Sequence, residues 1–141
     1  MKKLLSQGLT FVSILICNDA FAGFGENKWI FKPHEKVVIK KLDIAQQGVE
    51  YDCKSINPIT TFRLTYTDPR GLEYLKIISD NPSQITHSKD SKLFIISNVS
   101  SLHVKFPWIG GPYTFENITD NKVVGTNCDS GVYDVGVYGE E

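Results

Sequence analysis

The chain of 141 residues carries 15 lysines and arginines against 16 aspartates and glutamates, which gives a formal net charge of −1. This balance excludes the broad positive field that non-specific binding to nucleic acid or to an anionic membrane requires. The partners we expect are therefore recognised by local complementarity, and a protein partner is expected before a glycan or a small molecule.

The first 22 residues have the parts of a secretory leader in the correct order. Lys2 and Lys3 form a basic start, residues 9–16 form an apolar run, and residues 20–22 (Ala-Phe-Ala) form a small-residue cleavage site. This pattern predicts a cleavable signal peptide over residues 1–22 and a mature domain over residues 23–141. The short Lys-Lys start favours bacterial export, so the predicted location is periplasmic or secreted.

The alternatives to a cleaved leader are two kinds of membrane anchor. A transmembrane anchor needs about 20 apolar residues, and Asn18 and Asp19 end the apolar run before that length, so no membrane insertion is expected after cleavage. A lipoprotein anchor at Cys17 would need a small residue before the cysteine, where the chain has the bulky Ile16. Cleavage removes two of 15 basic and one of 16 acidic residues, so the mature chain has 13 and 15 and a net charge of −2.

Cys53 and Cys128 are the two cysteines of the predicted mature domain. In an oxidising compartment such a pair is expected to form a disulfide. The bond would enclose about 76 residues, for which chain entropy gives up to about 4.5 kcal/mol. Neither cysteine has a second thiol or a histidine at ligand spacing, so no metal site is predicted. Since Cys53 lies on the apolar face of its strand, we expect the bond to face the core, where it would be able to join two layers.

The dominant sequence period is two, which indicates strands covered on one side. In residues 62–66, for example, Phe62, Leu64 and Tyr66 share one face. The predicted strands are residues 29–31, 36–44, 49–54, 62–66, 72–79, 92–97, 102–106, 113–117, 122–126 and 132–138. Residues 93–96 are continuously apolar, which predicts a central strand buried on both faces.

Turn-forming residues separate these runs. Residues 46–48, 68–71 and 120–121 are each predicted to connect a β-hairpin, and a long polar stretch follows Asp80. Many short strands at about 10-residue spacing predict an all-β fold, a single-domain antiparallel β-sandwich of jelly-roll or Ig-like type, with a closed β-barrel as the alternative.

The segment that follows the strand 102–106 is the best candidate for a binding surface. Two prolines and two glycines stop it from continuing the strand, and it carries Pro107, Trp108, Ile109 and Tyr113. Large aromatic residues on a rigid loop are common anchors for a protein partner or a sugar. The alternative is that Trp108 folds back and closes the open end of the sandwich. His103, on the outward face of the preceding strand, is added to the candidate binding surface.

No catalytic pattern stands out, and no cofactor is predicted. Ser100 and Ser101 lie near His103 in sequence, but no G-x-S-x-G motif is present. Asp120, Asn121, Asp129 and Asp134 supply oxygen atoms for calcium, without an EF-hand pattern. His34 and His87 are expected to be solvated loop residues, and Asn98 and Asn117, although each begins a glycosylation pattern, are expected to be bare.

The leading hypothesis is an exported, non-enzymatic binding protein that acts on a protein partner by surface complementarity, as an inhibitor or immunity protein does. The alternatives are an oligomeric glycan-binding or toxin-delivery module, and a small hydrolase with a Ser-His-Asp arrangement around His103.

Overall fold

The computed structural model describes residues 23–39 and 47–134, and the predicted signal peptide lies outside them. The strands of the described residues are, in chain order, β1 (Gly23–Phe24), β2 (Lys28–Phe31), β3 (Lys36–Ile39), β4 (Gln47–Asn57), β5 (Thr60–Thr65), β6 (Lys76–Ser79), β7 (Ile85–Ser88), β8 (Leu93–Val99), β9 (Leu102–Phe106), β10 (Tyr113–Asn117) and β11 (Val123–Asp134). Two short 3-10 helices, Pro69–Glu73 and Pro82–Gln84, lie on either side of β6. None of the described helices is long and apolar enough to cross a membrane.

The strands form two antiparallel sheets, with the order β1-β2-β11-β4-β9-β6 in the six-stranded sheet and β3-β10-β5-β8-β7 in the five-stranded sheet. The sheets pack face to face, so the all-β sandwich prediction is confirmed. The described strands do not close into a barrel, and the closed-barrel alternative is wrong for this part of the chain. Alternation places Phe62 and Leu64 of β5, and Val104 of β9, fully in the interior.

An aromatic cluster fills the space between the sheets. Phe62 of β5 lies 4.6 Å from Phe115 of β10 and 5.4 Å from Phe31 of β2, centroid to centroid. Trp29, also on β2, has no exposed surface and contacts the same rings edge-on. Trp29 and Phe31, which belong to the predicted strand 29–31, are therefore core residues.

The predicted hairpins are the main errors in the expected topology. Residues 68–71 connect β5 to β6, and residues 120–121 connect β10 to β11, and in both cases the two strands lie in different sheets. Gln47 and Gly48 of the third predicted turn are the first residues of β4, and residue 46 lies outside the described residues. The strands β3 and β4 also belong to different sheets. These turns are sheet crossings because the apolar faces of successive strands must meet across the core rather than side by side.

Other strand predictions also change, and one strand is missed. The strand predicted at 72–79 is reduced to β6, because the 3-10 helix Pro69–Glu73 takes its first part. The polar stretch after Asp80 contains the edge strand β7, which the sequence pattern does not predict. In β8 only Ile96 and Val99 are fully buried, so burial on both faces is wrong. The predicted residues 40–44 and 135–138 lie outside the described residues.

The predicted disulfide between Cys53 and Cys128 is present, and both residues are buried. It joins directly paired positions of β4 and β11, two neighbouring strands of one sheet, so the expected link between the two layers is wrong. Gly125 provides room for the bond. A Cβ on Gly125 would lie 2.5 Å from Sγ of Cys53 and 3.1 Å from Cβ of Trp29.

Asn117, at the end of β10, has no exposed surface and connects three segments. Its amide donates to the carbonyl oxygens of Lys32, at 3.0 Å, and Asn121, at 2.8 Å. Its Oδ1 accepts from the backbone and hydroxyl of Thr119 and from Thr60. The amide nitrogen of this glycosylation pattern is thus fully used inside the fold, whereas Asn98 of the other pattern is exposed.

Replacing Asn117 with alanine should lower the free energy of unfolding by about 2–4 kcal/mol, because buried carbonyls and an N–H lose their partners. Asn121→Ala is the matched control. Asn121 takes part in the network through its main-chain carbonyl and N–H groups, which alanine keeps, so a change within about 0.5 kcal/mol is expected. Urea denaturation of both variants measures the difference. Equal losses in the free energy of unfolding would contradict the stabilising role of the Asn117 side chain.

Gly125→Ala should lower the free energy of unfolding by about 1–3 kcal/mol, because the added methyl group overpacks the space beside the disulfide. Gly131 lies on the same strand, and a Cβ added there would have no atom within 4 Å, so Gly131→Ala should have little effect. The denaturation midpoints of the two variants are compared under non-reducing conditions. Indistinguishable midpoints would contradict the packing argument.

Candidate functional site

The predicted binding loop, residues 107–113, carries the chain from β9 in one sheet to β10 in the other, and Tyr113 is the first residue of β10. Pro107 and Tyr113 at its two ends are buried, so they support the loop from the interior. The hydroxyl group of Tyr113 donates to the carbonyl oxygen of Ile109 at 2.6 Å. Burial raises the pKa of this hydroxyl above its ordinary value, which keeps it in the protonated, donating form.

The loop is fixed to the segment that follows β5. The carbonyl oxygen of Gly110 accepts hydrogen bonds from the backbone of Thr67, at 2.9 Å, and of Asp68, at 3.1 Å, and from the Thr67 hydroxyl at 2.8 Å. Gly110 has a φ of +97°, which other residues rarely adopt. A Cβ on Gly71 would lie 2.8 Å from Cα of Gly110, so the two segments meet through glycine backbone.

Trp108 lies half-buried on this fixed loop, and its ring packs against Tyr74 at a centroid distance of 5.5 Å. Ile109 beside it is also half-buried. The indole neither closes the end of the sandwich completely nor projects freely. Part of its surface therefore faces solvent from a defined position.

An ion pair stands next to Trp108. Nε and Nη2 of Arg70 donate to Oδ2 of Asp68 at 2.9 and 2.6 Å, and the backbone N–H of Arg70 donates to Oδ1 at 3.0 Å. These hydrogen bonds lower the pKa of the Asp68 carboxyl and raise that of the Arg70 guanidinium. Asp68, Arg70, Trp108, Ile109, Gly110 and Gly111 line a cavity of about 190 Å³, called here the Trp108 cavity.

His103 lies elsewhere, on the outer face of the six-stranded sheet. Its Nε2 donates to Oε1 of Glu50 at 2.8 Å, and Asp52 stands opposite it on β4. Shallow cavities of about 240 and 260 Å³ adjoin the imidazole on its two sides. The same face carries Lys105, whose ammonium group lies 5.0 Å from the centroid of the Tyr133 ring. His103 is thus not part of the Trp108 cavity, although the sequence suggests a single surface for the two.

Ser100 and Ser101, the serines that lie near His103 in sequence, both bond to Asp80. The hydroxyl of Ser100 donates to Oδ2 of Asp80 at 2.7 Å, and the backbone N–H groups of Ser100 and Ser101 both donate to Oδ1 at 3.1 Å. These serines therefore hold the turn between β8 and β9 against Asp80, while His103 bonds to Glu50.

The residues that the sequence offers as metal ligands lie apart from one another in the structure. Asp120 pairs with His34 at 2.6 Å, and His87 shares a hydrogen bond of 2.8 Å with Tyr66. Asp129 and Asp134 both lie on β11, five positions apart, which corresponds to about 17 Å along a strand. The described residues contain no group of three or more histidines, cysteines or carboxylates arranged to hold a metal ion.

Comparisons of the chain with protein-family models, with curated proteins and with solved structures find no match. The candidate site is consequently defined by its geometry alone.

Sequence reasoning locates the loop but misses two of the six residues that line the cavity, and it also misses the contact of Tyr74 with Trp108. It assigns Asp68 and Arg70 only to a turn, and Tyr74 only to a strand. The charged Asp-x-Arg pair beside Gly71 is the available signal, but nothing in the sequence indicates that Gly71 contacts Gly110, about 40 residues away.

The Asp80 interactions make stability depend on pH. Burial opposes ionisation of Asp80, but the hydrogen bonds from Ser100 and Ser101 outweigh it and lower the pKa of its carboxyl. A lowered folded-state pKa stabilises the fold above the ordinary value of about 3.9, and this contribution is lost as the pH falls through the folded-state pKa. Asp80→Asn should therefore lower the melting temperature at pH 6, and the deficit should shrink towards pH 2.

Asp90→Asn, at an exposed carboxylate in the turn before β8, is the control and should leave the melting temperature at pH 6 close to that of the unmodified protein. Melting curves of both variants and the unmodified protein between pH 2 and pH 6 make the test. A deficit for Asp80→Asn that stays constant over this range would contradict the assignment.

Proposed function

We propose that the mature chain is an exported, non-enzymatic binding protein that recognises a partner protein through the Trp108 cavity. The observation that carries the proposal is the position of Trp108, which is partly exposed on a loop fixed through the carbonyl of Gly110 and the hydroxyl of Tyr113. Inhibitors and immunity proteins act in this way, by presenting a rigid surface rather than by chemistry.

The residue types at the cavity support this proposal. Tryptophan, tyrosine and arginine are the residues most enriched where protein interfaces have their largest energetic contributions. Trp108 and Arg70 line the cavity, and Tyr74 packs against Trp108 beside it. Because the loop is already held by hydrogen bonds, little conformational entropy is lost when a partner binds it.

The compartment is the second part of the proposal. The Cys53–Cys128 bond is of the kind that persists in oxidising compartments, and it fits an extracellular or periplasmic protein. The leader-like residues 1–22 support export by a bacterial route and cleavage after Ala22.

A glycan ligand is the second candidate, and the size of the Trp108 cavity favours it. About 190 Å³ is smaller than the usual 300–1,000 Å³ of a site for a drug-sized molecule, but it suits a single sugar ring. An indole face can pack on the apolar face of a sugar, while the adjoining carboxylate and guanidinium can accept from and donate to hydroxyl groups.

The proposal is tested with Trp108→Ala, using Ile59→Ala as a control because Ile59 is a 63% exposed aliphatic residue in the turn between β4 and β5. Proteins of a periplasmic or host extract are cross-linked to the wild type and identified by mass spectrometry. For the purified partner, Trp108→Ala should raise the Kd by at least about 30-fold, the effect of losing about 2 kcal/mol, and Ile59→Ala should not.

Both variants must first melt within a few degrees of the wild type. Equal affinity of the wild type and Trp108→Ala for the captured partner would remove the Trp108 cavity from the proposal. If no protein is captured, while a glycan array binds the wild type and not Trp108→Ala, the second candidate replaces the first.

A further inference from the structure

We infer that the partner inserts an acidic side chain into the Trp108 cavity, where Arg70 binds its carboxylate beside an apolar contact with Trp108. This inference rests on the proposed function and names the chemistry of the partner. It is based on the N–H donors of Arg70 that do not bind Asp68, and on the positive charge of the neighbouring Lys92.

Arg70 has unused donors in a fixed orientation. A guanidinium group has five N–H donors, and Asp68 receives one from Nε and one from Nη2, which leaves three that donate to no other described residue. The side chain is nevertheless 74% exposed. Asp68 therefore orients the guanidinium plane without covering its outer edge, and that edge faces solvent next to Trp108.

Lys92 adds a second positive charge near the ion pair of Asp68 and Arg70. The ammonium group of Lys92 lies close by, donating to the carbonyl of Thr67 at 3.3 Å, and it contributes to the lowered pKa of Asp68. Arg70 and Lys92 together outnumber Asp68 by one charge. The predicted mature chain has a net charge of −2, so this is a cationic spot on an acidic molecule.

These features select a carboxylate on a protein. A guanidinium edge with two parallel N–H groups matches both oxygens of a carboxylate, which gives short, directional hydrogen bonds. A cavity of about 190 Å³ accepts one side chain, and the half-buried Trp108 and Ile109 supply the apolar contact for a neighbouring residue of the same segment. The occupant is thus an exposed segment of the partner with an aspartate or glutamate next to an apolar residue.

The test is a phage-displayed library of random peptides, selected on the full mature chain with its disulfide intact and counter-selected on Trp108→Ala. The enriched peptides should carry Asp or Glu next to an apolar residue. By calorimetry, Arg70→Gln should raise the Kd of the consensus peptide by about tenfold or more, the effect of about 1.4 kcal/mol. Arg70→Lys, which keeps the positive charge but loses the two parallel N–H donors of the guanidinium group, should have an intermediate effect on the Kd.

Lys122→Gln is the matched control, since Lys122 is an exposed cation beyond the opposite end of β10. It should leave the Kd unchanged. A double-mutant cycle decides the contact: changing the acidic residue of the peptide to its amide should weaken binding to the wild type about tenfold and binding to Arg70→Gln by less than about twofold.

The outcomes separate this inference from the proposed function. Peptides that need Trp108 but show no acidic residue, or no coupling to Arg70, would overturn the inference and leave the proposed function standing. Failure to enrich any peptide would overturn the inference, while the cross-linking experiment still decides the proposed function independently. Binding of glucuronic acid at Arg70, seen as chemical-shift changes without peptide binding, would also overturn it, because the carboxylate would then come from a sugar.

Discussion

The pairing of β4 with β11 is the interaction on which the rest of the sandwich depends. These long strands form the centre of the six-stranded sheet, and β11 carries β2 on its other edge while β4 carries β9. The disulfide fastens the pair at directly opposed positions, with Gly125 leaving room beside the sulfur atoms. Every other strand of this sheet is held through one of these two, so their register sets the position of the whole inner face.

The candidate site depends on a second close approach, at the end of the sandwich where the chain crosses from sheet to sheet. Gly71 and Gly110 allow two connections to touch through their backbones. The carbonyl oxygen of Gly110 accepts three hydrogen bonds, two from Thr67 and one from Asp68. The loop is therefore a rigid part of the scaffold, and it holds Trp108 and Arg70 in a constant relation. A binding surface built in this way needs no rearrangement when a ligand arrives.

The sequence predicts which faces are buried far better than it predicts which strands are neighbours. Alternation in residues 62–66 and 102–106 correctly places Phe62, Leu64 and Val104 in the core, because a period of two is a direct consequence of strand geometry. A turn such as residues 68–71 has the same local chemistry whether it closes a hairpin or crosses between sheets, so its partners are decided by packing. For this reason the loop carrying Trp108 is predictable, whereas its association with Arg70 is not.

The alternation of the chain between two sheets has a consequence for the order of events during folding. Among the described strands, only β1 with β2 and β7 with β8 pair with their immediate successors, so almost all of the structure rests on contacts between distant segments. Such topologies fold slowly, since long loops must close before any contact stabilises them. The central strand β11 comes last in the sequence among these strands, and the six-stranded sheet cannot assemble until it is available. We therefore expect the six-stranded sheet to form only after β11 has been synthesised, because β2 and β4 both pair with it.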